Sequence, residues 1–175
     1  MKGIILFASK YGSSEKYAKW LSEETGFDCV KADKADSRAL MEYDTVILGG
    51  GIYAGRIAGL SVLKKNMNSL KGRKLVVYCC GASEYDEGYV NTLKEQNFKD
   101  ELLGIPCFYL RGAFDMNSLK FGDRTLCKML AKVVSKKDPD SCEVYERAIL
   151  EARDTPCDWT DRASLKEITD YIKSA

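Results

Sequence analysis

The chain has 175 residues, with 45% hydrophobic and 30% charged side chains and a formal charge of +1 from 27 basic and 26 acidic residues. That composition is ordinary for a globular protein, and a chain of this length buries about 70% of its unfolded surface as one domain, 1–175. No nucleic-acid partner is expected. No apolar run approaches the ~18 residues of a membrane span, and the N-terminus enters a strand without a leader pattern, so a cytoplasmic location is expected. Seven cysteines form no CxxC pair and the chain has no histidine, which argues against a zinc site and against Ser-His or Cys-His nucleophiles.

In chain order, Ile4–Ala8 reads as a strand buried on both faces. It breaks into the loop Ser9-Lys10-Tyr11-Gly12-Ser13-Ser14, after which Tyr17, Ala18 and Leu21 recur at helical spacing. Strand, polar loop and helix together present free backbone N–H groups and a positive helix end to an anion. Gly12 permits close approach or a positive φ. Neither a Walker loop nor GxGxxG follows this strand, and a plain helix cap by Ser13 or Ser14 is the alternative to a phosphate cradle.

Gly26 reads as a C-cap and Phe27–Val30 as a second strand; Asp33–Met41 is loop with a short helix. Asp44–Leu48 is the third strand, ending in Gly49-Gly50-Gly51-Ile52-Tyr53-Ala54-Gly55-Arg56. Four glycines in that loop suggest close ligand approach. A helix over Ile57–Leu70 and a strand over Arg73–Cys80 follow, the strand ending in Gly81-Ala82-Ser83-Glu84-Tyr85. Cys79 and Cys80 read as core packing, not as a redox pair. Tyr89–Phe98 is helical, Ile105–Leu110 is the fifth strand, and Asp161–Ile172 is the last helix, with Ala163, Leu165, Ile168, Ile172 and Tyr171 facing inward. Alternating strands and helices imply an α/β fold with a parallel sheet covered on both faces. Residues at about 112–159 form a long insertion before the last helix. Within it, Phe121, Leu126, Met129, Leu130, Val133 and Val134 recur at helical spacing beside a basic row of Lys120, Arg124, Lys128 and Lys132. One reading packs the apolar face on the domain. The other lays a basic amphipathic helix on an anionic membrane surface or an acidic partner.

The first loop and its flanks resemble the signature of the flavodoxin family, carried by Ile5, Leu6, Phe7, Ser9, Gly12, Ser14, Ala18 and Leu21. The departures are Ser14 in place of the usual Thr and Tyr11 where many members have a second Thr. The sister receiver-domain pattern needs acidic residues where Ser9-Lys10 and Gly49-Gly50 stand. The resemblance implies a doubly wound five-stranded parallel sheet, with FMN at the switch point between the first and third strands. Ser9, Lys10, Tyr11, Gly12, Ser13 and Ser14 would then hold its phosphate. Gly50, Gly51, Ile52, Tyr53, Ala54 and Gly55, with Gly81, Ala82, Ser83 and Tyr85, would flank its ring, Tyr53 and Tyr85 being candidate stacking partners. The Gly49–Arg56 loop, Arg111-Gly112-Ala113, the basic helix and Thr155–Trp159 resemble the menaquinone-dependent protoporphyrinogen IX dehydrogenase branch. That branch implies an FMN oxidoreductase working with a quinone or a redox partner protein, and the basic helix of the insertion adds the expectation of peripheral contact with the inner membrane face. The candidate carboxylate-binding residues of such an enzyme are Arg56, Arg111 and Arg124. The alternative is a flavodoxin carrying electrons at low potential without its own substrate.

Overall fold

A computed structural model describes residues 2–174. The strands and helices run β1 Gly3–Ala8, α1 Ser13–Thr25, β2 Asp28–Lys31, β3 Thr45–Tyr53, β4 Arg56–Ile57, α2 Leu60–Asn66, β5 Lys74–Gly81, α3 Glu87–Asn97, β6 Cys107–Arg111, β7 Ala113–Phe114, α4 Phe121–Val134, α5 Val144–Glu151, β8 Cys157–Asp158 and α6 Lys166–Lys173. The parallel strands lie in the order β2-β1-β3-β5-β6, with β4 hairpinned onto β3. Counting parallel strands alone, this is the order 2-1-3-4-5, for which flavodoxin itself is the type example.

The period-two alternation of each strand divides the apolar residues between two cores. Ile4, Leu6, Val46, Leu48 and Val77 face one side, where Leu60 and Leu63 of α2 and Leu93 of α3 cover them. Ile5, Phe7, Ile47, Val76 and Tyr78 face the other, beneath Tyr17 and Leu21 of α1 and Ile168 and Ile172 of α6. Both faces of the central strands are therefore dry, which is why they read as continuous apolar runs.

β3 runs on through its glycines to Tyr53, five residues beyond the end expected from sequence. The backbones of Gly49 and Gly50 are paired by β1 on one side and β5 on the other, and that of Gly51 by β5, which offsets their weak strand propensity. Internal packing also accounts for the triplet. A Cβ on Gly49 would lie 2.0 Å from the Tyr78 ring, one on Gly50 2.3 Å from the Ala58 carbonyl, and one on Gly51 2.3 Å from the Tyr53 hydroxyl. Ala54 and Gly55, at φ 47° and 74°, form the tight turn into β4. Because Ile57 joins that hairpin and Gly59 caps the next helix, α2 is shorter than the expected 57–70 span. The last helix begins as a 3-10 turn at Arg162–Leu165, and Ala163 and Tyr171 point outward, against expectation.

The segment after β6 is closed at its base by the antiparallel pair β7–β8. Met116, Leu119, Ala131 and Ile149 make its small core, against which Tyr11 of the first loop packs. Only Ala131 and Val134 of α4 are fully buried. Phe121, Leu126, Met129 and Val133 are exposed, so the apolar face expected to pack on the domain largely faces out. None of the helices among the described residues is long and apolar enough to cross a membrane.

The contact between Gly49 and Tyr78 yields a test. The Tyr78 ring is fully buried and its hydroxyl donates to the Ser14 carbonyl at 2.8 Å, so it has nowhere to move. Gly49→Ala is expected to lower unfolding free energy in urea by about 2 kcal/mol, as overpacking does. A loss below about 0.5 kcal/mol would mean the strand tolerates a side chain there.

Candidate functional site

The site lies where the C-terminal ends of β1 and β3 meet, the point at which the strand order reverses. Gly12 holds φ +100° at the N-cap of α1 and offers no side chain to cap the helix. The first-turn N–H groups of Ser13, Ser14 and Glu15 thus have no intrahelical acceptor, while Lys16 N–H already donates to the Gly12 carbonyl at 2.9 Å. Apart from its chain neighbours, nothing crowds a Cβ built on Gly12 within 4 Å. The glycine is needed for its left-handed backbone, which turns the chain from strand to helix, and not for lack of room.

The hydroxyls of the loop are largely engaged within the protein. Ser9 Oγ accepts from Gly12 N–H at 3.0 Å, closing the loop on itself. Ser13 Oγ accepts from Ala113 N–H at 2.9 Å and anchors the loop to β7. Ser14 is buried with its Oγ unpaired, beside the Cys80 thiol, which burial pushes up to about 12. What the loop presents outward is backbone N–H together with the Lys10 ammonium.

Lys10 does not stand free. Asp123 of α4 accepts from both the Lys10 ammonium and the Tyr11 hydroxyl. These two partners hold the Asp123 carboxyl below its usual range, and Asp123 in turn holds the Lys10 ammonium up. Tyr11 is raised first by burial and then by the same carboxylate. Lys10 N–H donates to the Tyr53 hydroxyl at 2.7 Å, and the Tyr11 and Tyr53 rings meet edge to face at 6.0 Å. Burial raises the Tyr53 phenol, so it stays neutral as an acceptor.

Beside this loop opens a cleft of ≈ 400 Å³, lined among others by Ser9, Lys10, Lys31, Asp33, Tyr53 and Lys120. Three cations against one carboxylate favour an anion there. Sequence reasoning missed Lys31, Lys120 and Asp123. Lys31 ends β2, and the other two come from the insertion, whose path back to the first loop has no local signal.

Of the residues expected to flank a ring, Tyr53 alone lines this cleft. Gly50 and Gly51 lie within the sheet, the Ile52 side chain packs partly into a core, and Ala54 and Gly55 form the hairpin turn beyond. Gly81, Ala82, Ser83 and Tyr85 sit at the end of β5, around Tyr109 and Arg111. The Tyr109 hydroxyl donates to the Ser83 carbonyl at 2.7 Å, and its phenol is pushed well up by burial. Ser83 is buried, whereas Tyr85 is 66% exposed and meets Tyr109 edge to face at 6.3 Å. The three arginines suggested for carboxylate binding are occupied. Arg111 stacks on Trp159 at 4.1 Å, donates to the Ala82 carbonyl and pairs with Glu84 and Glu151. Arg124 folds onto the Asn117 and Leu119 carbonyls and so leaves the expected basic row. Arg56 reaches the Gln96 carbonyl at 3.3 Å.

A model of the Flavodoxin domain family matches residues 4–141. No curated protein matches the chain. Among solved structures, oxidised flavodoxin 1 from Bacillus cereus is 18% identical, with 79% of this chain and 100% of that one covered at a TM-score of 0.40. A flavodoxin, WrbA-like protein from Agrobacterium tumefaciens is 14% identical over 87% and 97% of the two chains, TM-score 0.47. A flavoprotein in complex with FMN from Lactobacillus acidophilus NCFM is 15% identical over 63% and 91%, TM-score 0.40. At such scores these likenesses add no weight to the family match.

The residues present fit the phosphate end of FMN, the cofactor that family membership supports. The uncapped first turn of α1 supplies fixed donors at the positive end of a helix dipole, and Ser9 and Lys10 of the same loop line the cleft, whereas Tyr11, Gly12, Ser13 and Ser14 do not. Asp123 opposes that fit by placing a carboxylate on Lys10. Asp123→Asn is therefore expected to tighten FMN binding by about threefold to tenfold at low salt, read by quenching of flavin fluorescence. Unchanged or weaker binding would show that Asp123 instead holds the loop in its binding shape. The chain belongs to the flavodoxin domain family.

Proposed function

We propose that this protein is an FMN-dependent oxidoreductase, similar to the protoporphyrinogen IX dehydrogenase-like branch, that passes hydride or electrons to a quinone or a redox partner protein. The observation that carries the flavin part is the uncapped first turn of α1, set behind a left-handed Gly12 at the meeting of β1 and β3. FMN, when bound, supplies the hydride or electron transfer. The chain's own residues bind and orient. Backbone N–H groups of Ser13, Ser14 and Glu15 hold phosphate, Lys10, Lys31 and Lys120 offset its charge, and Tyr53 closes the site over the end of β3. Cys79 and Cys80, the thiols nearest the ends of the central strands, are unsuited to take over the chemistry. Cys79 is raised by its contact with Cys107 and by burial, and Cys80 by burial, so neither offers a thiolate near neutral pH.

The alternative is a soluble electron carrier without its own substrate. A carrier that docks by electrostatic steering benefits from a strong one-sign field, and a formal charge of +1 does not supply one. The exposed apolar and basic side chains of α4 favour the quinone reading, with the protein in peripheral contact with an anionic membrane surface from the cytoplasmic side.

Calorimetric titration of the flavin-free protein with FMN and with riboflavin separates phosphate recognition from ring recognition. FMN is expected to bind about a hundredfold tighter or more, since charge-assisted bonds to a phosphate are lost with riboflavin. Equal affinities would remove the cradle. Faster reoxidation of the reduced holoprotein by a menaquinone analogue is the expected result for the enzyme, and indifference to it would favour the carrier.

A further inference from the structure

We infer that α4 is a docking surface for an anionic lipid bilayer, inserting Phe121, Leu126, Met129 and Val133 while Lys128 and Lys132 take headgroup phosphates. This deepens the peripheral-contact part of the proposed function and does not depend on flavin occupancy. Those four apolar residues are 87%, 61%, 64% and 59% exposed, and they make up four of the nine exposed large hydrophobic side chains of the described residues. At 100° per residue they fall within one arc of the helix surface, continuous over its whole length. The opposite arc, with Ala131 and Val134, is the one that packs on the protein.

The cations lie along one edge of the exposed stripe. Lys128 and Lys132 make no ion pair among the described residues. With Arg153 they line a cleft of ≈ 290 Å³ whose floor includes Met116 and Ala131. Arg153 is paired with Asp154, at 2.9 Å, which leaves the two lysines as the free charges there. A polar rim of ammonium groups against an apolar stripe matches the layering of headgroup phosphate over acyl chain.

A second copy of the chain fits less well. In a twofold pairing along the stripe the same surface faces itself, bringing the uncompensated lysines of both copies to one interface. The lipid surface has the opposite charge. Docking would also bring the flavin site close to the membrane, because Asp123, on the inward side of the same first turn as Phe121, reaches Lys10 and Tyr11.

The test is co-sedimentation of the full chain with vesicles of phosphatidylcholine alone and of phosphatidylcholine with phosphatidylglycerol. Binding is expected to the anionic vesicles only, and to fall about tenfold or more between low and high salt. Lys128→Glu with Lys132→Glu is expected to weaken it about twenty-five-fold or more, and Phe121→Ser with Met129→Ser about tenfold or more. All four side chains are exposed, so urea midpoints and FMN affinity should stay at the parent values. Wild-type protein left in the supernatant at low salt would overturn the inference. Equal binding to both vesicle types, or a dimer in solution abolished by Phe121→Ser with Met129→Ser, would overturn it as well. Loss of FMN binding with vesicle binding intact would count against the flavin reading alone.

Discussion

The architecture of the site depends on one backbone constraint, the left-handed turn at Gly12. It lets β1 end in the middle of the sheet and α1 begin at once, with its positive end over the reversal between β1 and β3. Around it the protein uses hydrogen bonds from distant elements. Tyr78 of β5 donates to the Ser14 carbonyl from below, Ala113 N–H is held by Ser13 from one side, and Tyr53 takes Lys10 N–H from above. The last two occupy groups that could otherwise face a ligand, the Ser13 hydroxyl and the Lys10 N–H. The result is a loop whose Ser9 and Ser13 hydroxyls are spent on its own shape and whose helix N–H groups remain for an anion.

The insertion follows from the same logic, since its first strand and its long helix are both fastened to this loop. β7 receives Ser13, and α4 lays Asp123 on Lys10 and Tyr11. At the closing strand, Asp158 pairs with Lys16 of α1 at 2.8 Å and accepts from the Thr160 hydroxyl, which together hold its carboxyl down to about 2. Residues remote in sequence thus bear on the charge and shape of the cradle, while the outer side of α4 is left apolar.

The sheet was legible in the sequence because buried parallel strands write themselves as short apolar runs, and all five parallel strands lie close to their expected positions. Gly26, expected as a C-cap, does close α1 in the left-handed conformation. The extension of β3 was hidden because glycine carries no strand signal. Its pairing is imposed by two neighbouring strands, and its lack of a side chain answers to the Tyr78 and Tyr53 rings. The signature around Gly12 located the loop, but which of its hydroxyls are engaged is decided by Ala113 N–H and Gly12 N–H, partners that no spacing reveals. In α4 the helical period was evident and its direction was not. Periodicity shows that a helix has an apolar face, but not whether that face is turned toward the core.

The central claim is that backbone N–H groups of the first turn of α1 hold a phosphate. It is tested most directly by phosphorus NMR of the FMN-loaded protein across pH 5–8. A free phosphomonoester takes up a proton near pH ~6. A phosphate held by fixed donors and nearby ammonium groups is expected to remain a dianion, with a chemical shift that does not move over this range. A bound phosphate that titrates like free FMN would contradict the account, because it would lie in water and not at the helix.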